Sequence, residues 1–194
     1  MRVMTLALWS AAAVMGGPAL AQPIATEAAR DLVFNTREAE LVLNPNAPLT
    51  DAETSALRTL VSTNGFKYYG AMAYAPDEGL VSESLQGAFN FHDVQSASAA
   101  ALTACNAARA AGSGPCVVAA QIVPRRWKPS DFQLSQDATV GLATMAEIDG
   151  EKAMAVSATS GSFGIGQGNS AEADALTECN RNAPQRDCIV AVKN

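Results

Sequence analysis

The chain has 194 residues, of which 48% are hydrophobic, and its formal net charge is −6. This apolar content excludes a chain that is disordered throughout, and the negative charge argues against a nucleic-acid partner, because a phosphate backbone would be repelled. The length suits one ordinary core or two very small domains.

The first 21 residues have the pattern of a secretory signal peptide. A single positive charge at Arg2 is followed by an uncharged apolar run over residues 3–14 and a Gly-Gly-Pro break at 16–18. Ala-Leu-Ala at 19–21 then places small residues at the two positions that a signal peptidase reads. The run is shorter than the roughly 20 residues that span a bilayer as a helix, which disfavours an uncleaved anchor. We expect a periplasmic or secreted chain that begins at Gln22 and has no transmembrane anchor after cleavage.

Residues 22–66 are expected to form an N-terminal arm with one clear helix. Thr50 and Glu53 have the spacing of a capping box, apolar residues follow on one helix face, and an Asn-Gly pair closes the pattern. A helix is therefore predicted over about residues 51–63. The rest of the arm shows little periodicity, and we expect it to be only partly ordered, with a helical piece near residues 27–34.

An internal repeat organises the remainder of the chain. Residues 87–106 align with residues 161–180 without a gap, and half of the twenty positions are identical. Further on, Cys-Val-Val-Ala at 116–119 matches Cys-Ile-Val-Ala at 188–191. Matched Phe, Leu, Thr, Cys and Asn in one register indicate a duplicated structural unit.

Each copy has the pattern of two strands, a helix and a third strand. In the first copy these elements are predicted at residues 69–74, 80–91, 96–111 and 116–123. In the second copy Asp149-Gly150 is typical of a hairpin turn, and the last strand is predicted at 188–192. Upstream the alignment is ambiguous, and it places Met72-Ala73 on Met145-Ala146.

The expected organisation is repeat 1 at residues 67–123, a polar linker at 124–138 and repeat 2 at 139–194. A unit of about 55 residues buries little core alone, so the two repeats should form one pseudo-symmetric domain. The predicted fold class is α+β: two ββαβ-like repeats, with an antiparallel sheet and the helices packed on one face, preceded by a short helical N-terminal segment.

All four cysteines, Cys105, Cys116, Cys179 and Cys188, follow the signal peptide. An even number in an oxidising compartment favours disulfides over metal, and the close pairs of a zinc site are missing from the sequence. Three pairings are possible in principle. The repeat favours Cys105–Cys116 and Cys179–Cys188, each joining a helix to the following strand. No metal and no cofactor is expected.

These motifs resemble a family of small secreted bacterial proteins known only as a domain of unknown function. The likeness covers about residues 68–123 and, more weakly, residues 140–193. Its motifs are small residues, a disulfide and a strand, so the resemblance brings no activity and no catalytic residues. The matching positions are Ala71-x-Ala73, Gly79, Ala97-x₃-Ala101-Leu102-x₂-Cys105 and Cys116-Val117-Val118.

The sequence carries no convincing catalytic constellation. His92 is the only histidine, and Asp93 and Ser96 beside it are the residue types of a catalytic triad. However, Gly166 matches His92 in the second copy. A loop that caps the next helix explains Asp93 and Ser96 without chemistry.

Two further patterns have simple explanations. The glycines at 161, 164, 166 and 168 precede a helix, but their spacing fits neither a dinucleotide-binding nor a P-loop motif, so a flexible loop is favoured. Glu147, Asp149 and Glu151 flank the predicted turn and are too few for a calcium loop, so they are expected to be solvated turn charges.

The most distinctive surface pattern is Arg125-Arg126-Trp127-Lys128. These four residues form a basic cluster around the only Trp after the signal peptide, and they are our candidate partner-binding residues. Cations beside an exposed ring suit an anionic glycan, a membrane surface or an acidic protein. The alternative is a linker in which Trp127 covers a sheet edge while the charges stay in water.

The sequence therefore favours a non-catalytic, disulfide-bonded module that binds an unidentified envelope component or protein partner. An inhibitor of a secreted hydrolase and an enzyme of unrecognised type are the alternatives. Pull-down from envelope extract separates binding from inhibition, and turnover of a broad substrate panel tests the enzyme alternative.

Export gives the first prediction. Expressed with its own leader, the protein should be recovered outside the cytoplasm with Gln22 as its first residue, because the small residues Ala19 and Ala21 direct cleavage after Ala21. N-terminal sequencing of the recovered protein measures this, and Met1 on that product would contradict it.

Overall fold

The computed structural model describes residues 22–194, so the predicted signal peptide lies outside the described residues. This part of the chain folds into five α-helices and seven β-strands, with a 3₁₀ turn at Gly168–Ser170 before the last helix. The elements are α1 Thr26–Leu32, β1 Ala39–Leu43, α2 Asp51–Asn64, β2 Gly70–Tyr74, β3 Gln86–Ala88, α3 Val94–Ala108, β4 Val117–Pro124, α4 Gln136–Ala146, β5 Lys152–Ser157, β6 Phe163–Gln167, α5 Ala171–Asn182 and β7 Cys188–Lys193.

The strands form two separate antiparallel sheets. The first sheet has four strands in the order β1-β4-β2-β3, and the second has three in the order β6-β5-β7. In each copy the first strand is therefore central, between its hairpin partner and the last strand of the copy. The predicted α+β class, antiparallel pairing and short N-terminal helix are confirmed.

The central strands show how the two copies correspond. β2 has a bulge against β4 after Met72, and β5 has a bulge against β7 after Met154. Met72-Ala73 thus matches Met154-Ala155, and the alignment on Met145-Ala146 was wrong. The distance from this Met to the next matched Ser differs between the copies. The interval from Met72 to Ser96 is eight residues longer than the interval from Met154 to Ser170. An alignment without gaps therefore cannot match both the helices and the preceding strands.

The duplicated structural unit is longer than the sequence repeat. α2 precedes β2 and α4 precedes β5, with five connecting residues in each case, 65–69 and 147–151. α2 packs on the face of the first sheet opposite α3, and α4 packs on the face of the second sheet opposite α5. Helices therefore cover both faces of each sheet, not one, and the expected linker at 124–138 runs into α4.

Small residues separate each repeat helix from its sheet. Because alanine side chains are short, the helix lies close to the strands, and the last Cys of the helix reaches the start of the next strand. Both favoured disulfides, Cys105–Cys116 and Cys179–Cys188, are present, each with its Cα atoms 6.1 Å apart. The buried small residues are Ala71, Ala73, Ala97, Ala101 and Cys105 in the first copy and Ala153, Ala155, Ala171, Ala175 and Cys179 in the second.

Larger side chains fill the opposite face of the first sheet. Leu57 of α2 packs there against three buried tyrosines and Met72. The predicted capping box of α2 is confirmed, since Thr50 and Glu53 exchange hydrogen bonds, and the helix ends at Gly65 in the left-handed conformation with φ 59°. A residue with a Cβ would be strained at that position.

The N-terminal arm is more ordered than its sequence indicates. Its predicted helical piece is α1, and β1 pairs antiparallel with β4. Ile24 pairs with the edge of β7, where its N–H donates to Ala191 O and its carbonyl accepts from Lys193 N–H, both at 3.0 Å. The arm thus adds to both sheets, through long-range pairing that local periodicity does not reveal.

Asp149-Gly150 is a turn of a different kind from the one predicted. It lies in the connection between α4 and β5, with Gly150 at φ 79°. The β5–β6 hairpin turns instead at residues 158–162. The local turn chemistry was correct, but the elements that the turn joins were not.

The two disulfides are consistent with an oxidising compartment outside the cytoplasm. Among the described helices, none combines the length and the apolar character needed to cross a bilayer.

The close helix–sheet contact gives the second prediction. Ala101→Leu should lower the free energy of unfolding by about 1–3 kcal/mol, because α3 leaves no room for a larger side chain against β2. Ala99→Leu is the matched control, since Ala99 is exposed on the same helix and its substitution should be nearly neutral. Urea denaturation of both variants measures the difference, and equal stabilities would contradict the packing argument.

Candidate functional site

His92 lies at the contact between the two copies. Its ring is only 6% exposed. Nδ1 accepts the backbone N–H of Ser135 at 3.0 Å, and Nε2 lies 3.0 Å from the Ser162 carbonyl. Because the Ser135 N–H can only donate, the ring is neutral with its proton on Nε2. His92 therefore joins the first copy to the start of α4 and to the β5–β6 hairpin.

The other two triad-like residues are engaged in helix capping. Asp93 accepts the Ser96 N–H at 2.7 Å and the Ser96 hydroxyl at 2.8 Å, which caps α3. Capping accounts for both side chains, and both nitrogens of His92 are occupied by main-chain groups. This arrangement holds the start of α3 and the neighbouring segments in place.

Polar contacts around His92 complete the junction between the copies. Asn90 and Asp137 exchange two hydrogen bonds of 3.1 Å, and Lys67 pairs with Asp137 at 2.6 Å. Gly161 lies against the Asn90 carbonyl with no space for a side chain. We call this contact of Asn90, His92, Ser135, Asp137 and Ser162 the junction.

The glycines before α5 have a packing role. Gly164 and Gly166 lie in β6, where a Cβ on either residue would clash with the backbone of α5. The favoured flexible loop was therefore wrong, because this segment is a strand with a helix resting on it. The alternation of Gly with Phe163 and Ile165 is the period-two signal that could have identified the strand.

The acidic residues of the predicted turn lie between α4 and β5. Glu147, Asp149 and Glu151 all belong to that connection. Within residues 22–194, His, Cys, Asp and Glu side chains form no group of three or more that could hold a metal ion.

The four candidate partner-binding residues follow β4 and divide by role. Trp127 is partly buried: it packs against the first core, meets Tyr69 edge-on at 6.1 Å between ring centroids, and donates its indole N–H to Gln133 Oε1 at 2.8 Å. Arg125 is exposed and pairs with Glu38 at 2.9 Å. Arg126 and Lys128 are exposed and form no ion pair within the described part of the chain.

A groove with a volume of about 560 Å³ lies beside β1. Leu41, Val61 and Phe66 contribute its apolar surface, while exposed Arg37 and Arg58 contribute positive charge. We call it the β1 groove. Its lining residues are Thr36, Arg37, Ala39, Glu40, Leu41, Arg58, Val61, Ser62, Gly65, Phe66 and Gln136.

A second, smaller groove continues the positive charge towards the predicted basic cluster. It is lined by Asn35, Glu38, Arg125 and Arg126. The segment 35–40 contributes to both grooves, so four arginines lie around one stretch of the arm. We call Arg37, Arg58, Arg125 and Arg126 the basic surface.

Half of the basic surface was not found from the sequence. Arg37 and Arg58 lie 21 residues apart, in the loop before β1 and on α2. Only the packing of α2 beside β1 brings them to one groove, and no local motif marks them. Neither side chain forms an ion pair within residues 22–194.

Comparison of the chain with models of protein families, with curated proteins and with solved structures found no match. The evidence for function therefore comes from the residues and their geometry.

The junction gives the third prediction. Burial lowers the pKa of His92 below its ordinary value of 6.5, although the Ser162 carbonyl and the charges of Asp93 and Asp187 oppose this. As the pH falls, His92 should therefore be protonated in the unfolded state at a higher pH than in the folded state. Stability should be complete above about pH 6.5 and should fall, as the pH drops below that value, by up to about 1.4 kcal/mol per pH unit.

Urea denaturation between pH 7.5 and pH 5 tests this dependence. His92→Gln keeps an acceptor and a donor but removes the titrating ring, so its stability should change less over the same interval. An equal loss in the parent and in the variant would contradict the assignment to His92.

Proposed function

We propose that the chain is an exported, non-catalytic binding module, periplasmic or secreted, that holds a negatively charged envelope component or protein partner at the basic surface. The observation that carries this proposal is the β1 groove. In it, two exposed arginines flank an apolar surface and have no carboxylate partner within residues 22–194.

Charge contrast supports an anionic partner. After residue 21 the chain has 12 Lys and Arg against 19 Asp and Glu, a net charge of −7. The basic surface is thus a region of positive charge on a chain that is acidic overall, with Glu38 and Glu40 beside its four arginines. Such contrast orients an approaching partner, and it acts over about 8–10 Å at physiological ionic strength.

The apolar surface of the groove supports a partner that makes apolar contacts as well as ionic ones. Leu41 and Val61 are partly buried against the first core, so the groove rests on packed residues and not on a mobile loop. Apolar contact combined with a few placed cations is typical of a site that recognises a shape as well as a charge. Trp127 contributes by packing, and recognition is assigned to the arginines.

The compartment follows from two independent features. The signal-peptide pattern at the N-terminus indicates export, and the two disulfides suit an oxidising environment. An envelope component or a protein that meets the chain outside the cytoplasm is therefore the expected class of partner.

Binding to a washed bacterial envelope fraction tests the proposal. Arg58→Ala combined with Arg126→Ala should reduce retention of the 22–194 chain by about tenfold, because two cations that contact the partner are lost. Retention by the parent should weaken with added salt. Thermal stability should hardly change, since both side chains are exposed.

The matched control is Arg181→Ala combined with Arg186→Ala. These arginines line another groove at the end of α5, are exposed, and form no ion pair within the described residues. The control removes the same charge from a different place and should leave retention nearly unchanged. Equal losses from the two double variants, or retention that salt does not affect, would contradict the proposal.

A further inference from the structure

The outer edge of β1 has open main-chain hydrogen-bonding groups. Asn44 N–H donates to Ala119 O at 2.9 Å, and Arg125 N–H donates to Glu38 O at 3.2 Å. In a regular antiparallel ladder, these two bonds mean that the even-numbered residues of this segment direct their main-chain N–H and C=O groups towards β4. The odd-numbered residues, Ala39, Leu41 and Leu43, therefore present their N–H and C=O groups outwards. Within residues 22–194 no side chain, and no main-chain group outside the β1–β4 ladder, forms a hydrogen bond with these six groups.

The other sheet edges are better protected. The edge of β7 is occupied in part by Ile24. On β6, the Ile165 N–H is taken by the Glu178 carboxylate at 2.8 Å. β3 is only three residues long. A further strand can pair with an open sheet edge. Among the described strands, β1 has the longest edge whose main-chain groups are unpaired.

The open edge and the β1 groove lie side by side. Leu41 and Leu43 of β1 pack on the side of the sheet that α2 covers, whereas Val42 between them faces away and is 44% exposed. A strand added beside β1 would alternate in the same way. Every second side chain of that strand would lie in the groove between β1 and α2, within reach of Arg37 and Arg58.

We infer that the partner at the basic surface is an extended, acidic peptide segment that adds to β1 as a fifth strand of the first sheet. This inference rests on the proposed function and names its partner class. Main-chain hydrogen bonds to Ala39, Leu41 and Leu43 would supply affinity. An acidic side chain on the groove face would supply specificity through Arg37 and Arg58.

Charge argues for an acidic foreign segment over a second copy of this chain. Leu41 and Leu43, the β1 residues on the side that α2 covers, carry no charge. A second β1 strand would therefore bring no carboxylate to Arg37 and Arg58, whereas an acidic segment would. A membrane surface or a glycan would use the arginines but has no peptide groups to complete the ladder.

Two synthetic peptides with capped ends probe the inference. In the acidic peptide every second residue is Thr, and the residues between are Val or Glu. When the peptide is extended, Val and Glu therefore lie on one face and Thr on the other. The second peptide has Lys in place of Glu. The acidic peptide should bind more tightly to the 22–194 chain by calorimetry. It should also slow amide hydrogen exchange at Leu41 and Leu43 by about tenfold or more, because those N–H groups become paired.

Three variants separate main-chain pairing from charge. Ala39→Pro removes an outward N–H and leaves the β4 ladder intact, so it should weaken acidic-peptide binding by about fivefold or more. Glu40→Gln is the matched control on the same strand, and it should not weaken binding. Arg58→Glu should reverse the preference towards the Lys peptide.

The outcomes distinguish this inference from the proposed function. Unchanged peptide affinity in Ala39→Pro, or binding without protection of Leu41 and Leu43, would overturn strand addition. If the peptides fail while the envelope fraction still binds in a salt-sensitive, Arg58-dependent way, strand addition is wrong and the proposed function stands. If neither binds, both are wrong. A dimer with those amides already protected would assign the edge to a second copy and overturn the inference.

Discussion

Two helices of this protein, α3 and α5, rest on their sheets mainly through alanine and cysteine, with Leu102 and Leu176 partly buried beside them. Much of the architecture depends on that close contact. The short side chains bring helix and strand near enough for a disulfide to join them, once in each copy. Larger side chains such as Tyr74 and Met154 are then confined to the opposite faces. Those faces need helices of their own, which α2 and α4 provide, so each copy becomes a sheet between two helices.

A polar junction fixes the two copies relative to each other. His92 accepts one main-chain hydrogen bond and donates another, so its neutral ring spans three segments of the chain. Gly161 allows the hairpin of the second copy to approach Asn90 closely. The N-terminal arm adds to both sheets, through Ile24 at β7 and through β1 at β4. Each copy thus supplies one half of the fold, and the junction between the copies, together with the added arm, holds the halves together.

The candidate site combines the added arm with parts of the first copy. β1 and Arg37 belong to the arm, while Arg58 on α2 and Arg126 after β4 come from the first copy. The corresponding edge of the second sheet receives only the single residue Ile24. The second copy therefore has no equivalent of the β1 groove among the described residues, and the basic surface breaks the pseudo-symmetry. The two copies form most of the fold, and the added strand β1 completes the surface that is proposed to bind the partner.

Features that depend on local pattern, or on comparison of the two copies, could be predicted from the amino-acid sequence. These include the repeat, the disulfide pairs Cys105–Cys116 and Cys179–Cys188, and the capped helix at Thr50. The other features depend on tertiary contacts. β1 is a strand because Leu41 meets Ile122, about eighty residues later, and the role of His92 requires Ser135 and Ser162. The groove arises because α2 packs beside β1. Such contacts join residues that are distant along the chain, so local periodicity carries no signal for them.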